Sequence, residues 1–368
     1  MQLDLAAIRA DFPFFRENPD VIYLDSAATS LKPQAVIDEV SWFLSTGTSS
    51  INRAVHHIGV ETSSRVRKAR QTIANWFGVT DSQVVFTSGT TDAINLVRSG
   101  LSGLERVLVS NGEHHSNLLP WRSVSQLRTI DSDSFGVLTP ERLAKELKDF
   151  PADLVSVSHL GNVLGIVQPI QELSEVVHSQ GGLLLVDAAQ SASHLPCSLE
   201  TLNADFLVCS GHKMLGPSGI GALIGKREAL ERLNPTRWGG GMVSAVTESE
   251  STLEVGPGRF EAGTLPIESI LGWSAAIEYL DTIGIASIDS HLSELTAQTV
   301  DALLDVPGVR LGGNAKTKRH SIVPFTIEHW QAHQAARVLS QRYGVCVRSG
   351  FHCAEPVSYT HLTLPTKA

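Results

Sequence analysis

The sequence predicts an α/β fold built on a mostly parallel sheet, and a few observations carry that expectation. Short apolar runs recur through the middle of the chain: VVFTS (84–88), RVLVS (106–110), LVSVS (154–158), LLLVD (183–187), FLVCS (206–210) and GALIG (221–225). Each is bounded by turn residues and lacks polar alternation, as expected of strands covered on both faces. Helical stretches lie between several of them, among them TTDAINLVRSG, ERLAKELKD and IQELSEVVHSQGG, the last stopped by glycines. Strand and helix alternating in this way build a parallel sheet, whose ligands gather at the carboxyl ends of the strands.

The flanking segments follow other patterns. ETSSRVRKARQTIANWFG reads as an amphipathic helix with Val66, Ala69, Ile73 and Phe77 on one stripe. GRFEAGTLPIESILGWSAAIEYLDTIG begins as a loop and becomes a long helix ending at Gly284. VRLGG, HSIVPFTI and VCVRSG, separated by helices, suggest a smaller α+β domain. At 368 residues the chain exceeds one ordinary core. The expected division is a large α/β domain over 22–281 and a small α+β domain from 1–21 and 282–356.

Composition narrows the partners. Apolar residues make up 42% and charged residues 18%, enough for a sizeable core. A net charge of -9 and no basic run argue against nucleic acid or an anionic membrane. No apolar run is long enough to span a bilayer, and the acidic start MQLDLAAIRADFPFF does not read as a secretory signal. Cys197, Cys209, Cys346 and Cys353 form no CxxC and no even framework, which fits free thiols in a reducing cytoplasm.

The chemistry is expected where strands end. LLLVD delivers Asp187 and, just beyond, Gln190; FLVCS delivers Ser210, then His212 and Lys213. A carboxylate, an amide and an amine converging on one edge suit pyridoxal phosphate: the acid keeps the pyridine nitrogen protonated and the lysine ties the aldehyde. Alone, Lys213 reads as a lysine snorkelling from a strand edge, and SGTTDAIN (88–95) as a plain helix cap. Together they suggest a phosphate cup in which Thr90 and Thr91 open a helix, with Ser210 and His212 adding donors. His114 and His115 lack the i, i+4 spacing of a zinc pair, so a ring stacked on a flat cofactor is the better use. Asn162, at the end of LVSVS, can donate to a cofactor oxygen or a substrate carboxylate, or serve turn chemistry beside Gly161. Cys353, in the loop VRSGFHCAEP beside His352, reads either as an inert thiol or as a mobile nucleophile.

These motifs resemble the SufS/CsdA-type cysteine desulfurases, pyridoxal phosphate enzymes of the class V aminotransferase superfamily. The likeness is collinear from YLDSAATSLKP (23–33) through INRAVHHIG, FTSGTTDAINLV, EHHSNLLPW, SHLGNVLG, VDAAQ, SGHKMLGPSGIG and RFEAGT to VRSGFHCAEP. It implies the type I fold of pyridoxal phosphate-dependent transferases. It also implies that Lys213 carries the cofactor and moves the Cα proton, that Asp187 pairs with the pyridine nitrogen and Gln190 with the ring hydroxyl, and that His114 stacks on the ring. Thr90, Thr91, Ser210 and His212 are implied to hold the phosphate, with Thr264 reaching the phosphate of a neighbouring subunit in a homodimer. His56 and Asn162 are implied to line the substrate side, Arg348 to lie near the entering substrate, and Cys353 to attack the sulfur of L-cysteine and become a persulfide. The sulfur would pass to an acceptor protein, as in iron–sulfur cluster assembly. Selenocysteine lyase acting on L-selenocysteine, another class V aminotransferase and a catalytically impaired sulfur-system partner remain alternatives. Residues 357–368 look foreign to the family pattern and no arginine follows Arg348, so the small domain is expected to be incomplete and C-terminally truncated, and turnover of cysteine poor.

Overall fold

The computed structural model describes residues 3–51 and 54–354; the tail singled out above, 357–368, lies outside them. All six apolar runs form strands, and a further one joins them. In chain order they are β1 (Val84–Thr87), β2 (Arg106–Ser110), β3 (Gln126–Ile130), β4 (Leu154–Ser158), β5 (Leu183–Asp187), β6 (Phe206–Ser210) and β7 (Gly221–Gly225). They make one seven-stranded sheet in the order β1-β7-β6-β5-β4-β2-β3. Neighbours run parallel from β6 to β3, while β7 is antiparallel to both β6 and β1. The strand missing from the sequence reading is β3, QLRTI. It is the sheet edge, buries only Ile130 fully, and so carries no apolar run to betray it.

The two-residue period of a strand divides the core between the faces. Leu108, Val155, Leu184, Val186, Leu207 and Ile224 point into one apolar cluster. Val107, Val109, Leu185, Val208 and Leu223 point into the other. The first face is covered by the helices His57–Trp76 and Ile267–Ile283, which pack on each other. The expected stripe is buried: Val66, Ala69, Ile73 and Phe77 all belong to this cluster. The second face carries the helix Thr90–Gly100 and the fully buried Trp121. Each large aliphatic side chain so buried stabilises the fold by roughly 1.5–3 kcal/mol.

Beyond Gly284 come the helix Ile285–Leu304, the antiparallel pair Val309–Leu311 and Phe325–Ile327, the helix Ala332–Tyr343 and the strand Val345–Cys346. The last pairs in parallel with Ile22–Tyr23, so the start of the chain is tied to its far end. HSIVPFTI is a strand only from Phe325 onward. Its first half is held instead to the sheet-bearing part of the molecule: the His320 N–H donates to Gly165 O at 2.7 Å and the Arg319 guanidinium to Leu164 O at 3.0 Å. The His194 and His320 rings stack at 5.2 Å across the same junction. No helix among the described residues is long and apolar enough to cross a membrane.

A buried acid fastens the strand ends. Glu113, 2% exposed, follows β2 and accepts from Ser110 Oγ at 2.6 Å, Asn117 Nδ2 at 2.6 Å, Ser158 N at 3.0 Å and Ser158 Oγ at 2.5 Å. It therefore joins the ends of β2 and β4 to the turn that carries His114. Burial pushes its carboxyl up, and the hydrogen bonds from Ser110, Ser158 and Asn117 hold it back.

Two stability tests follow from this packing. A Cβ at Gly221 would lie 2.4 Å from Cys209 O and 2.6 Å from the Gly89 Cα, both backbone. Gly221→Ala therefore has to part β6 and β7, and a loss of about 1–3 kcal/mol is expected in denaturant unfolding. Glu113→Ala strands several buried donors at ~1–3 kcal/mol each; a large fall in the thermal midpoint is expected, and Glu113→Gln, which keeps one acceptor, should recover part of it.

Candidate active site

The carboxyl ends of β5 and β6 lie side by side, and the sequence-predicted groups meet there. β5 ends in Asp187, which is 5% exposed and accepts the Ala189 N–H on Oδ1 at 2.9 Å. β6 ends in Ser210, after which the turn Gly211–Lys213 carries the lysine. Burial pushes the Lys213 ammonium down, and the charges of Asp187 and Cys353 pull it back. Burial pushes the Asp187 carboxyl up, opposed by the Ala189 hydrogen bond and by Lys213. Lys213 is thus within electrostatic reach of both Asp187 and Cys353, the latter 140 residues further along the chain.

Burial works against charge on His114 and His212. His114 is brought down to about 4, first by burial, then by the charges of Lys213 and His115. Its Nδ1 accepts from Ser116 N at 3.1 Å, which fixes the ring at the start of a short turn. His212 also falls to about 4, through burial and then through Lys213 and Lys32.

The cup predicted from SGTT is assembled from both strand ends. Ser210 Oγ lies 2.8 Å from Thr90 N and 2.8 Å from Thr90 Oγ1, where the helix Thr90–Gly100 begins. Thr91 Oγ1 meets Ser116 Oγ at 2.7 Å, joining the cup to the His114 turn. Gly89 has φ +147 and a Cβ there would approach Ser210 Oγ at 3.1 Å, so the floor of the cup is backbone alone. Asp92 in the first turn is neutralised by an ion pair with Arg237, which leaves the helix terminus receptive to an anion. A helix terminus with hydroxyl donors, a buried acid and a buried amine are the donor set that a phosphorylated pyridine aldehyde requires, and the residues fit that group.

Other predicted residues are placed differently. Gln190 gives its amide N–H to Ala27 O at 2.8 Å, against the N-terminal segment. Asn162 donates to His352 O at 2.9 Å, so it grips the cysteine loop. That loop is further held by His115 N donating to Cys353 O at 2.8 Å. His352 and Cys353 both have φ +54, a left-handed pair that non-glycine residues adopt only when the surroundings impose it. The Cys353 side chain is exposed, while its neighbour Ala354 is buried against Val163, Leu164 and Ile166. Arg348 forms a two-pronged ion pair with Asp25, at 3.0 and 2.9 Å. His56 is exposed and caps its own helix through Gly59 N at 3.2 Å, and Thr264 is exposed on a loop. The sequence reading passed over Glu113, whose only signal is a carboxylate directly before the histidine pair. It also passed over Asp25 and Lys32, which lie inside the motif YLDSAATSLKP.

The class-V aminotransferase profile matches residues 22–365. A cysteine desulfurase of Haloferax volcanii is 37% identical over 382 residues, spanning 96% of this chain and 89% of that protein. Among solved structures, the apo cysteine desulfurase of Thermococcus onnurineus NA1 is similar with a TM-score of 0.89 at 33% identity, over 98% of this chain and 91% of that one. The cysteine desulfurase CsdA of Escherichia coli gives a TM-score of 0.89 at 30% identity, with the same coverage. Likeness of this extent decides the family: the chain belongs to the class-V aminotransferases, among their cysteine desulfurases.

Proposed function

We propose that this chain converts L-cysteine to L-alanine and captures the sulfur as a persulfide on Cys353. One juxtaposition carries the reading: Lys213, at the turn after β6, feels the charges of both Asp187 and Cys353. Pyridoxal phosphate, the cofactor this family implies, supplies when bound an electron sink that acidifies the substrate Cα.

The chain's own residues do the rest. Asp187 would hold the pyridine nitrogen, since a buried carboxylate gains most from a cationic partner. Thr90, Thr91, Ser210 and His212 would hold the phosphate, and Gln190 would lie beside the ring hydroxyl. His114 offers a flat, uncharged ring. Lys213 would hold the aldehyde carbon, and its amine, made less basic by burial, is suited to taking the Cα proton. Arg348, held by its ion pair with Asp25, would lie near the entering substrate, and His56 and Asn162 would line the substrate side. Cys353 then attacks the substrate sulfur: an S–S bond forms, the C–S bond breaks, and its electron pair stays on Cβ, which takes a proton. Carbon is reduced to a methyl group while sulfur is oxidised to the persulfide level, so no outside oxidant is needed.

The same reading takes the active unit to be a homodimer. Thr264 and Trp238, the latter 66% exposed, lie on neighbouring loops joined by Gly263 N donating to Gly240 O at 2.7 Å, and a second copy would cover them. The persulfide would then pass its sulfur to an acceptor protein, with iron–sulfur cluster assembly as the destination.

Alanine release from cysteine, measured with pyridoxal phosphate and a reductant, tests the roles. Lys213→Ala should lose at least ~10²-fold in rate. Cys353→Ser should abolish persulfide and cysteine turnover, and an unchanged rate would refute the assignment; selenocysteine turnover surviving in that variant would favour a lyase. In the cofactor-free chain the His114 ring resonances should titrate near pH 4. A histidine held below its unfolded value of about 6.5 contributes stability that is present above that pH and is lost as pH falls toward 4.

A further inference from the structure

The motif YLDSAATSLKP lends Asp25 to Arg348 and Ala27 to Gln190, and its end closes on the turn of the proposed cofactor lysine. Several donors converge on one carbonyl oxygen, that of His212, immediately before Lys213. Ser30 N reaches it at 3.0 Å, Ser30 Oγ at 2.9 Å, Lys32 Nζ at 3.3 Å and Thr29 Oγ1 at 3.3 Å. The Ser30 hydroxyl also accepts from Leu215 N at 2.9 Å, so it spans both sides of the lysine. Lys32 Nζ donates in addition to Ser30 O, which folds the segment back on itself. An ordinary backbone carbonyl has two lone pairs and is satisfied by one or two donors. Crowding more donors there, one of them a half-buried ammonium, goes well beyond satisfying a turn.

The consequence is mechanical. The peptide plane between residues 212 and 213 sets the direction in which the Lys213 side chain leaves the backbone, and four rotatable bonds amplify any error there. Ser30 is 7% exposed and so is shielded from competing water. Burial also brings the Lys32 amine down to about 8, so it is ammonium at neutral pH but held at some cost, as a charge kept for a purpose would be.

We infer that Ser30 and Lys32 are positioning residues for Lys213: by pinning the His212 carbonyl they aim the amine at the cofactor carbon and the substrate Cα. The inference rests on the proposed function for its purpose, and the geometry it describes is independent of any cofactor.

The test uses Ser30→Ala, Lys32→Met and Lys32→Gln in the full chain, each checked for an unchanged thermal midpoint to within a few degrees. Trace acetylation of the cofactor-free protein, read by mass spectrometry, should show the reactivity of Lys213 relative to Lys226 altered at least threefold in Ser30→Ala and Lys32→Met. With cofactor and cysteine, kcat should fall about tenfold while KM stays within twofold, because both residues act through the His212 carbonyl, and Lys32→Gln, which still donates, should restore most of kcat. The midpoint of the pH titration of the visible absorbance band should shift with kcat. Unchanged labelling, kcat and band midpoint in both Ser30→Ala and Lys32→Met would overturn the inference. Altered labelling in a protein that develops no visible band with pyridoxal phosphate would sink the proposed function and leave the positioning role standing.

Discussion

Asp187 is buried and Lys213 half-buried at the same edge of the sheet, and the rest of the site is arranged around the cost of putting them there. A lone ammonium or carboxylate in so dry a place would lose several kcal/mol of hydration, and each here recovers part of that from the other. Burial works on both in the direction that removes charge, and the surrounding groups continue the pattern. Burial pushes His114 and His212 down, and Glu113, directly before His114, is an acid held by hydroxyl and amide donors. A site built this way lowers the basicity of its amine, the direction that the proposed proton transfer requires.

The thiol is supplied by a different principle. Cys353 reaches the edge on a loop from the far end of the chain, attached by two backbone contacts, through Asn162 and through His115, and by the anchoring of Ala354. Its backbone is strained and its side chain is exposed. The role proposed for Cys353, reaching a substrate sulfur and then presenting it elsewhere, suits a loop fixed at its base and open at its tip. The N-terminal segment binds the two arrangements together. Asp25 aims Arg348 beside the loop, Ala27 receives Gln190, and Ser30 with Lys32 closes on the turn of Lys213. A stretch of eight residues at the start of the chain therefore touches the acid strand, the lysine turn and the thiol loop.

The sheet was legible in the sequence wherever both faces of a strand are covered, because burial on both sides demands an unbroken apolar run. It was not legible at the edge strand Gln126–Ile130, where one buried residue suffices, nor in the first half of HSIVPFTI, whose apolar character serves a junction rather than a ladder. That the lysine, the acid and the hydroxyls of Thr90 and Ser210 share one edge was readable because strand ends deliver consecutive residues there, so local order already implies position. What local order cannot imply is which distant segment lies against it. That Asn162 grips the cysteine loop, that Arg348 is paired with Asp25, and that Ser30 and Lys32 seize the carbonyl before Lys213 are contacts between residues 180 or more positions apart. The chain alone determined the strands, the chemistry at their ends and the family likeness, since these follow from periodicity and from motifs read within a few residues. The tertiary structure alone decided how the three segments meet, because long-range pairing is settled by packing and hydrogen-bond geometry across the whole fold.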